Sequence, residues 1–337
     1  MIKVGQIGAG AWGRNLLRNF AALSNCQVKV CCDKDAKVLN AIRAQYNDKI
    51  STTSRFEDLL GDNELDAVVI ATLPQTHADF AIKALSCGKH VFVEKPLALK
   101  VEDAEKMLAA AEKNKRFLMI GHLLLYHPAV RKLKDYIEHG QLGNIHYLYS
   151  TRVNLGQVRE IENALWSLTA HDISVAMYLI NQSPLEVAAT GKAYLREDIQ
   201  DVVFLTLTFK NDIMAHIHAS WLDPHKVRKF TVVGSKKMVV FDDMESSEKI
   251  RIYDKGYDWQ KNAGTYDTFL TLREGDINIP RIDMVEPLKF ECQHFIDCIM
   301  YKKAPFTDGE NGLAVLKVLT AAQESLEKNG KPVKIKK

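Results

Sequence analysis

Little in this chain points to a membrane, a nucleic acid or a disulfide framework. No apolar run approaches the roughly 18 residues that cross a bilayer. Neither sign of charge dominates: 45 Lys and Arg stand against 42 Asp and Glu, a net charge of +3. The basic residues are dispersed, so neither nucleic acid nor an anionic membrane surface is an expected partner. Only six cysteines occur in 337 residues. They lack metal-ligand spacing, and reduced thiols in a cytoplasmic protein are expected. His216 and His218 share a strand face without a third ligand, and the remaining histidines show no ligand spacing, so no metal is expected. Met1 runs straight into the strand pattern Ile2-Lys3-Val4, which leaves no room for a signal peptide. What is present is the composition of a globular protein, 47% hydrophobic and 26% charged, in a chain long enough for about two domains.

Residues 2–7 alternate as a strand and lead into Gly8-Ala9-Gly10-Ala11-Trp12-Gly13. A helix pattern follows, with Leu16, Leu17, Phe20 and Leu23 on one face. Strand, G-x-G-x-x-G and helix in this order form a dinucleotide-binding arrangement. Gly8 permits the tight turn, Gly10 lets the backbone approach a pyrophosphate, and Gly13 lets helix pack on strand; the helix N-terminus offers free N–H groups to phosphate. Asp33 closes the second strand, 20 residues after Gly13, where an acid can bind a ribose 2′-hydroxyl. NAD is therefore expected rather than NADP, although Lys34 could swing to a phosphate.

Alternating helices and strands continue to about residue 122, which predicts a doubly wound parallel sheet, an α/β Rossmann domain over residues 1–122. The loops at the strand ends carry Thr72, Pro74 and His77, then Glu94-Lys95-Pro96, then Gly121-His122. The stretch Val91-Phe92-Val93-Glu94-Lys95-Pro96 is a buried strand that ends in a charged pair. By itself it also fits a solvated strand end. Ligands of such sheets gather at the carboxyl ends of strands, and there Lys95 is placed for proton transfer. From residue 144 the texture changes to period-two segments over residues 145–153, 187–194, 202–209, 214–221, 227–234, 237–241 and 250–253. They predict a large, mainly antiparallel sheet in an α+β domain over residues 123–337, closed by helices at 287–301 and 309–327.

A helix predicted over residues 164–180 interrupts those strands. Ser167, His171, Ser174 and Tyr178 form a polar stripe on it without Lys or Glu, so His171 is expected to line a cleft; a satisfied core histidine is the alternative. Arg152, Asn154, Arg159 and Asn163 precede this helix and suit an anionic, polyhydroxylated ligand, although an ordinary polar loop has the same composition.

The Gly8–Gly13 fingerprint, residues 72–77, Lys89-His-Val-Phe-Val-Glu-Lys-Pro96 and the His171 helix before a large sheet resemble the glucose–fructose oxidoreductase/inositol dehydrogenase/rhizopine catabolism (Gfo/Idh/MocA) family. The resemblance spans nearly the whole chain, and Glu-Lys-Pro is its most specific mark. It implies a nicotinamide cofactor, oxidation or reduction of a sugar-like secondary alcohol, chemistry at Lys95 and His171, and a cis Lys95–Pro96 bond. Asn154-Leu-Gly156, residues 163–173 with Trp166, Ser220-Trp-Leu222 and Phe241-Asp-Asp243 resemble a narrower branch. That branch oxidises the 3-hydroxyl of a UDP-N-acetylhexosamine before a transaminase using pyridoxal phosphate adds an amino group. Ser167 and Ser174 stand where the family commonly has aspartate, and Ala170 where the branch has proline.

The expected function is hydride transfer between NAD and the 3-hydroxyl of a UDP-N-acetylhexosamine. The expected cofactor contacts are Gly8, Gly10, Ala11, Trp12, Gly13, Asp33, Lys34, Thr72, Pro74, His77, Glu94 and Lys95. Substrate contacts are expected at Arg152, Asn154, Arg159, Asn163, Trp166, Ser167 and His171. A dehydrogenase of free sugars or inositols, a catalytically silent NAD-binding regulator, and a dehydratase or hydrolase using NAD transiently fit the same residues. Residues 203, 205, 207 and 209 are apolar, and Phe204, Thr206 and Thr208 between them give the sheet a second face to cover, so a homo-oligomer, dimer or tetramer, is expected.

Overall fold

The structure, a computed structural model, describes residues 1–156, 162–261 and 268–336, with backbone only at 259–261 and 268–269. It contains two compact units, Met1–Tyr126 with Val285–Lys317 and His127–Met284 with Val318–Lys337. Among the described residues no helix is long and apolar enough to cross a membrane.

The first unit is built on six parallel strands: β1 (Ile2–Ile7), β2 (Cys26–Cys32), β3 (Ser51–Thr53), β4 (Ala67–Ile70), β5 (His90–Glu94) and β6 (Leu118–Gly121). Their order is β3-β2-β1-β4-β5-β6, so the direction of winding reverses between β1 and β4. Such a reversal opens a crevice at the strands' carboxyl ends. The crossovers are α1 (Gly13–Ala21), α2 (Ala36–Tyr46), α3 (Glu57–Gly61), α4 (His77–Ser86) and α5 (Val101–Lys113). Each follows its apolar stripe: α1 buries Leu16, Leu17 and Phe20 completely. Asp35 caps α2 by accepting from the Lys37 N–H at 2.8 Å, and Asn47 ends that helix in the left-handed region at φ 49°. β3, only three residues long, carries too little alternation to be read from sequence.

The domain boundary expected at residues 122/123 differs from this division, because the chain returns to the first unit. Helix α8 (Pro287–Tyr301) buries Leu288, Cys292, Phe295 and Ile296. The Phe295 ring lies 6.3 Å from Phe20 and 5.8 Å from Phe92, edge to face. Beyond it, the Thr307 carbonyl accepts from the Ile120 N–H at 2.8 Å. An amphipathic helix shows that it has a partner without showing which.

The second unit carries α6 (Pro128–Glu138), α7 (Ala170–Ile180) and a sheet of nine strands: β7 (Ile145–Val153), β8 (Glu186–Lys192), β9 (Val202–Thr208), β10 (Met214–Ser220), β11 (Val227–Gly234), β12 (Met238–Asp242), β13 (Ile250–Lys261), β14 (Thr268–Asn278) and β15 (Val333–Lys334). The order is β14-β13-β12-β11-β7-β10-β9-β8-β15. All neighbours are antiparallel except β7 and β10. Val203, Leu205, Leu207 and Phe209 are buried, whereas Phe204 between them is 40% exposed. β13 continues past the four residues its pattern predicts and pairs along its length with β14. The last helix, α9 (Gly309–Glu327), counts with the first unit up to Lys317 and with the second from Val318.

Candidate active site

At the carboxyl end of β1 the chain turns through Gly8 at φ +87°, where an added Cβ would stand 2.5 Å from the Ala71 carbonyl oxygen. A Cβ on Gly13 would stand 2.3 Å from the Gly8 carbonyl oxygen. These close approaches admit only glycine. Gly10 has no atom within 4 Å of the corresponding point, so its backbone is open to a ligand. Gly10, Ala11 and Trp12 are exposed, and Lys34 is exposed beyond Asp33. Asp33 braces the turn, since its Oδ2 accepts from the Ala9 N–H at 2.7 Å and its Oδ1 from the Asp35 N–H at 3.0 Å. A turn closed by glycine, an open backbone at Gly10 and a carboxylate beside it fit a dinucleotide.

The loops after β4 and β5 are tied together by His77. Its buried ring faces the Pro96 carbonyl through Nδ1 at 2.9 Å and the Thr72 carbonyl through Nε2 at 3.2 Å. Thr72 also shares a hydroxyl hydrogen bond of 2.7 Å with Thr76, while Pro74 opens the short 3-10 turn between them. A neutral His77 has one N–H to give, so it donates to one of these two carbonyls at a time from a position between both loops. Burial lowers its pKa, and the nearby Lys95 charge lowers it further.

Lys95 follows β5, half-buried, with a cis bond to Pro96. Glu94 turns inward beside it. Gly121, its register partner on β6, leaves the room: a Cβ there would stand 3.0 Å from the Glu94 Oε1. That oxygen accepts from the Trp12 indole N–H at 2.5 Å, and Oε2 accepts from the Lys95 N–H at 3.2 Å. Burial raises the Glu94 carboxyl to about 7 against the lowering effects of Trp12 and Lys95. His122 is buried one residue past β6, its Nδ1 2.7 Å from the Asn311 Oδ1. Burial lowers its pKa to about 4, with the Lys95 charge pushing the same way. The Lys95 charge thus lowers both imidazoles, and His122 is neutral near pH 7. Nothing in the sequence marked Asn311, which arrives from the start of α9, far along the chain.

In the second unit the expected regular helix over residues 164–180 instead opens with a π-helical turn, Leu165–Thr169, before α7. The wider turn changes the phase of Ser167 relative to a regular helix. Ser174 is buried and donates to the His171 carbonyl at 2.8 Å. His171, Trp166 and Ser167 are half-buried.

Three of the four expected ligand donors have partners inside the fold. Arg152 grips Asp172. Asn154 accepts at its Oδ1 from the Arg228 Nη2 at 2.5 Å. Asn163 accepts from the Trp166 N–H at 3.2 Å and donates to the Gln200 and Gln323 Oε1 atoms at 2.8 and 3.0 Å. The Trp166 indole also donates to Gln323, at 3.2 Å. Arg159 lies outside the described residues. Arg228, Gln200 and Gln323 organise this region unannounced by any motif, because each acts from a separate strand, loop or helix.

A nucleotide cradle at the winding reversal, followed by an inward carboxyl and a half-buried lysine at the next strand end but one, defines an NAD(P)-dependent oxidoreductase acting on CH–OH groups. Two family profiles match: "Oxidoreductase family, NAD-binding Rossmann fold" over residues 2–122 and "GFO/IDH/MocA C-terminal domain" over residues 130–240. The chain belongs to the Gfo/Idh/MocA family and acts on a sugar. It is 26% identical to the UDP-N-acetylglucosamine 3-dehydrogenase of Acidithiobacillus ferrooxidans over 97% of each chain. It is 25% identical to the myo-inositol 2-dehydrogenase of Thermotoga maritima over 97% of this chain and 96% of that one. Among solved structures, a putative oxidoreductase from Magnetospirillum magnetotacticum superposes with a TM-score of 0.80 at 27% identity, over 95% of this chain and 99% of the other.

Proposed function

We propose that the protein oxidises the 3-hydroxyl of a UDP-N-acetylhexosamine with NAD. The observation that carries the reading is the end-to-end similarity to a UDP-N-acetylglucosamine 3-dehydrogenase, together with the Asn154-Leu-Gly156 and Trp166–His171 stretches that resemble that branch. Bound NAD supplies a nicotinamide carbon that accepts hydrogen with its electron pair from the sugar ring. Gly8, Gly10, Ala11, Trp12 and Gly13 hold the pyrophosphate, and Asp33 takes the adenosine ribose, with Lys34 at the rim. Thr72, Pro74, His77 and Glu94 shape the nicotinamide end.

A secondary alcohol releases hydride only as its proton leaves, so a base has to reach that oxygen. Lys95, as the neutral amine, takes that proton and returns it in the reverse direction. The resemblance assigns His171 to orienting the alcohol. Arg159 is assigned to the diphosphate; Arg152, Asn154 and Asn163 support the substrate region from within the fold, and Trp166 and Ser167 line it. The 3-keto product is reactive, and a transaminase using pyridoxal phosphate is the partner that consumes it. A cytoplasmic location fits the six free cysteines.

A homo-oligomer completes the reading. Tyr147, Tyr149, Phe204 and Met214 are 40–44% exposed on one face of the nine-stranded sheet, and register places Met214 beside Tyr147. An apolar face of that kind calls for cover, and symmetric pairing supplies it.

A second reading, oxidation of a free polyol, draws on the similarity to myo-inositol 2-dehydrogenase and on the internal partners of Arg152 and Asn154. The test pairs the protein and NAD with UDP-N-acetylglucosamine, UDP-glucose and myo-inositol, followed at the NADH absorbance with a transaminase present and absent. Turnover confined to UDP-N-acetylglucosamine is expected. Ready turnover of inositol with every UDP-sugar untouched replaces this reading with the second.

A further inference from the structure

The first unit buries, on α8, a carboxyl group that no part of the proposed reaction uses. Glu291, on α8, is 0% exposed, and neither carboxyl oxygen has a hydrogen-bond partner among the described residues. An ionised carboxylate without a donor is strongly disfavoured in such a place, and the group neutralises instead. Its neighbour follows from packing. Phe295, one helical turn after Glu291, meets Phe92 of β5 at 5.8 Å. Four residues of helix and two residues of strand each cover about 6–7 Å. Asn25, at the amino ends of β1 and β2, donates to Asp297 near the end of α8 at 3.4 Å, so α8 runs opposite to the strands. Stepping back from Phe295 to Glu291 and forward from Phe92 to Glu94 therefore goes the same way. Glu94 is the charged group that bears on Glu291.

We propose that Glu94 and Glu291 form a buried carboxyl pair that holds one proton above neutral pH, on Glu291, and that the charge left on Glu94 latches the glycine-rich loop through the Trp12 indole. The inference deepens the reading above: it rests on that reading for the loop's role toward the cofactor, and not for the protonation of the pair. The two groups differ in what they touch. Glu94 accepts from Trp12 at 2.5 Å and from the Lys95 N–H at 3.2 Å, contacts that favour its anion. Glu291 has neither, and burial first, then the Glu94 charge, holds its carboxyl well above the usual range.

The charged and titratable surroundings are few. Lys95 lies on the β5 side. On α8, Cys292 responds to both carboxyl groups and to Cys26 of β2. Glu286, at the start of α8, is paired with Arg18 of α1. His294 accepts from the Phe306 N–H, and its ring lies tilted against Tyr126, 5.5 Å between centroids. His122 past β6 stays neutral. Among the described residues, Lys95 is the cation whose charge acts on Glu94. As pH falls through about 7, Glu94 takes up the second proton, the Trp12 hydrogen bond loses its charge assistance, and the loop is held less firmly. Trp12 is thereby a positioning residue that acts through the loop, and Glu291 sets the proton count of the pair.

Two measurements on the ligand-free full chain test this. The first is the infrared carbonyl stretch of un-ionised carboxyl groups at about pH 8, well above the ordinary carboxylate range. The band is expected in the wild type and in Glu94→Gln, and is expected to be lost in Glu291→Gln, with Glu291→Met as a second uncharged variant should the first not fold. The second is tryptophan fluorescence across neutral pH. One step is expected in the wild type and in Glu291→Gln, and none in Trp12→Phe or Glu94→Gln. NAD affinity, by calorimetry, should weaken toward acid by at most about tenfold per pH unit in the wild type, with a flat profile in Glu94→Gln. A wild-type band unchanged in both Glu291 variants, or a fluorescence step that persists in Glu94→Gln, overturns the proposal. Failure of the substrate panel leaves these ligand-free readouts untouched, so the two readings fail separately.

Discussion

The Arg152 guanidinium meets the Asp172 carboxylate through two hydrogen bonds, Nε to Oδ2 at 2.5 Å and Nη2 to Oδ1 at 3.2 Å. The Ser150 hydroxyl donates to the same carboxylate at 2.5 Å. Asp172 is 2% exposed, so this bidentate pair clamps α7 to β7 from the interior. An arginine whose place in the sequence suggests anion binding thus serves as an internal strut. Arg152→Met and Asp172→Asn should each destabilise the protein by about 3–5 kcal/mol, because each leaves one buried charge unpaired. Urea unfolding measures this. A raised Michaelis constant for a nucleotide sugar with unchanged stability would instead place Arg152 on the substrate.

Lys95→Met keeps the length of the side chain and removes the amine. Turnover should fall by about 10²–10⁴-fold, the usual worth of a general base. NAD affinity measured by calorimetry should stay nearly intact. Near-normal turnover would remove Lys95 from the proton transfer.

Asp33→Ala should reduce the preference for NAD over NADP by about 10–100-fold in kcat/KM, the worth of a charge-assisted hydrogen bond. The Ala9 N–H loses its partner in the same variant, so affinity for both cofactors should drop as well. An unchanged ratio of the two cofactors' kcat/KM values would show that another residue selects between them.

Two buried groups give opposite pH dependences below neutrality. Glu94 is raised to about 7, so the folded chain binds a proton that the unfolded chain has released, and its contribution falls as pH rises from the ordinary glutamate range to about 7. His122 is lowered to about 4. There the unfolded chain binds the extra proton, and the contribution falls as pH drops from the ordinary histidine range to about 4. Each slope is at most about 1.4 kcal/mol per pH unit. Urea midpoints across this range should therefore show a shallower acid loss in His122→Asn and a smaller decline toward neutrality in Glu94→Gln. Matching slopes in both variants and the wild type would mean that neither group is perturbed.

Tyr149→Asp combined with Phe204→Glu places charge on the open sheet face and should shift sedimentation from an oligomer to a monomer at micromolar concentration. A wild-type monomer under those conditions would leave the face unpaired in solution.

Sequence by itself determined the parts of this protein that depend on near neighbours in the chain. Gly8, Gly13 and Asp33 announce a nucleotide turn because the steric needs of that turn fall within a short span. Period-two runs announced the second sheet, and Glu-Lys-Pro marked the strand end. The tertiary structure decided where long-range partners meet. It gave Arg152 to Asp172 and Asn154 to Arg228, and it opened the His171 helix with a π turn that changes the phase of Ser167. It returned α8 to the first unit, where Phe295 packs on Phe92 and Glu291 is fully buried. The physical reason is that a side chain's hydrogen bonds and protonation depend on whatever burial brings against it, and in a doubly wound sheet those neighbours arrive from distant parts of the chain.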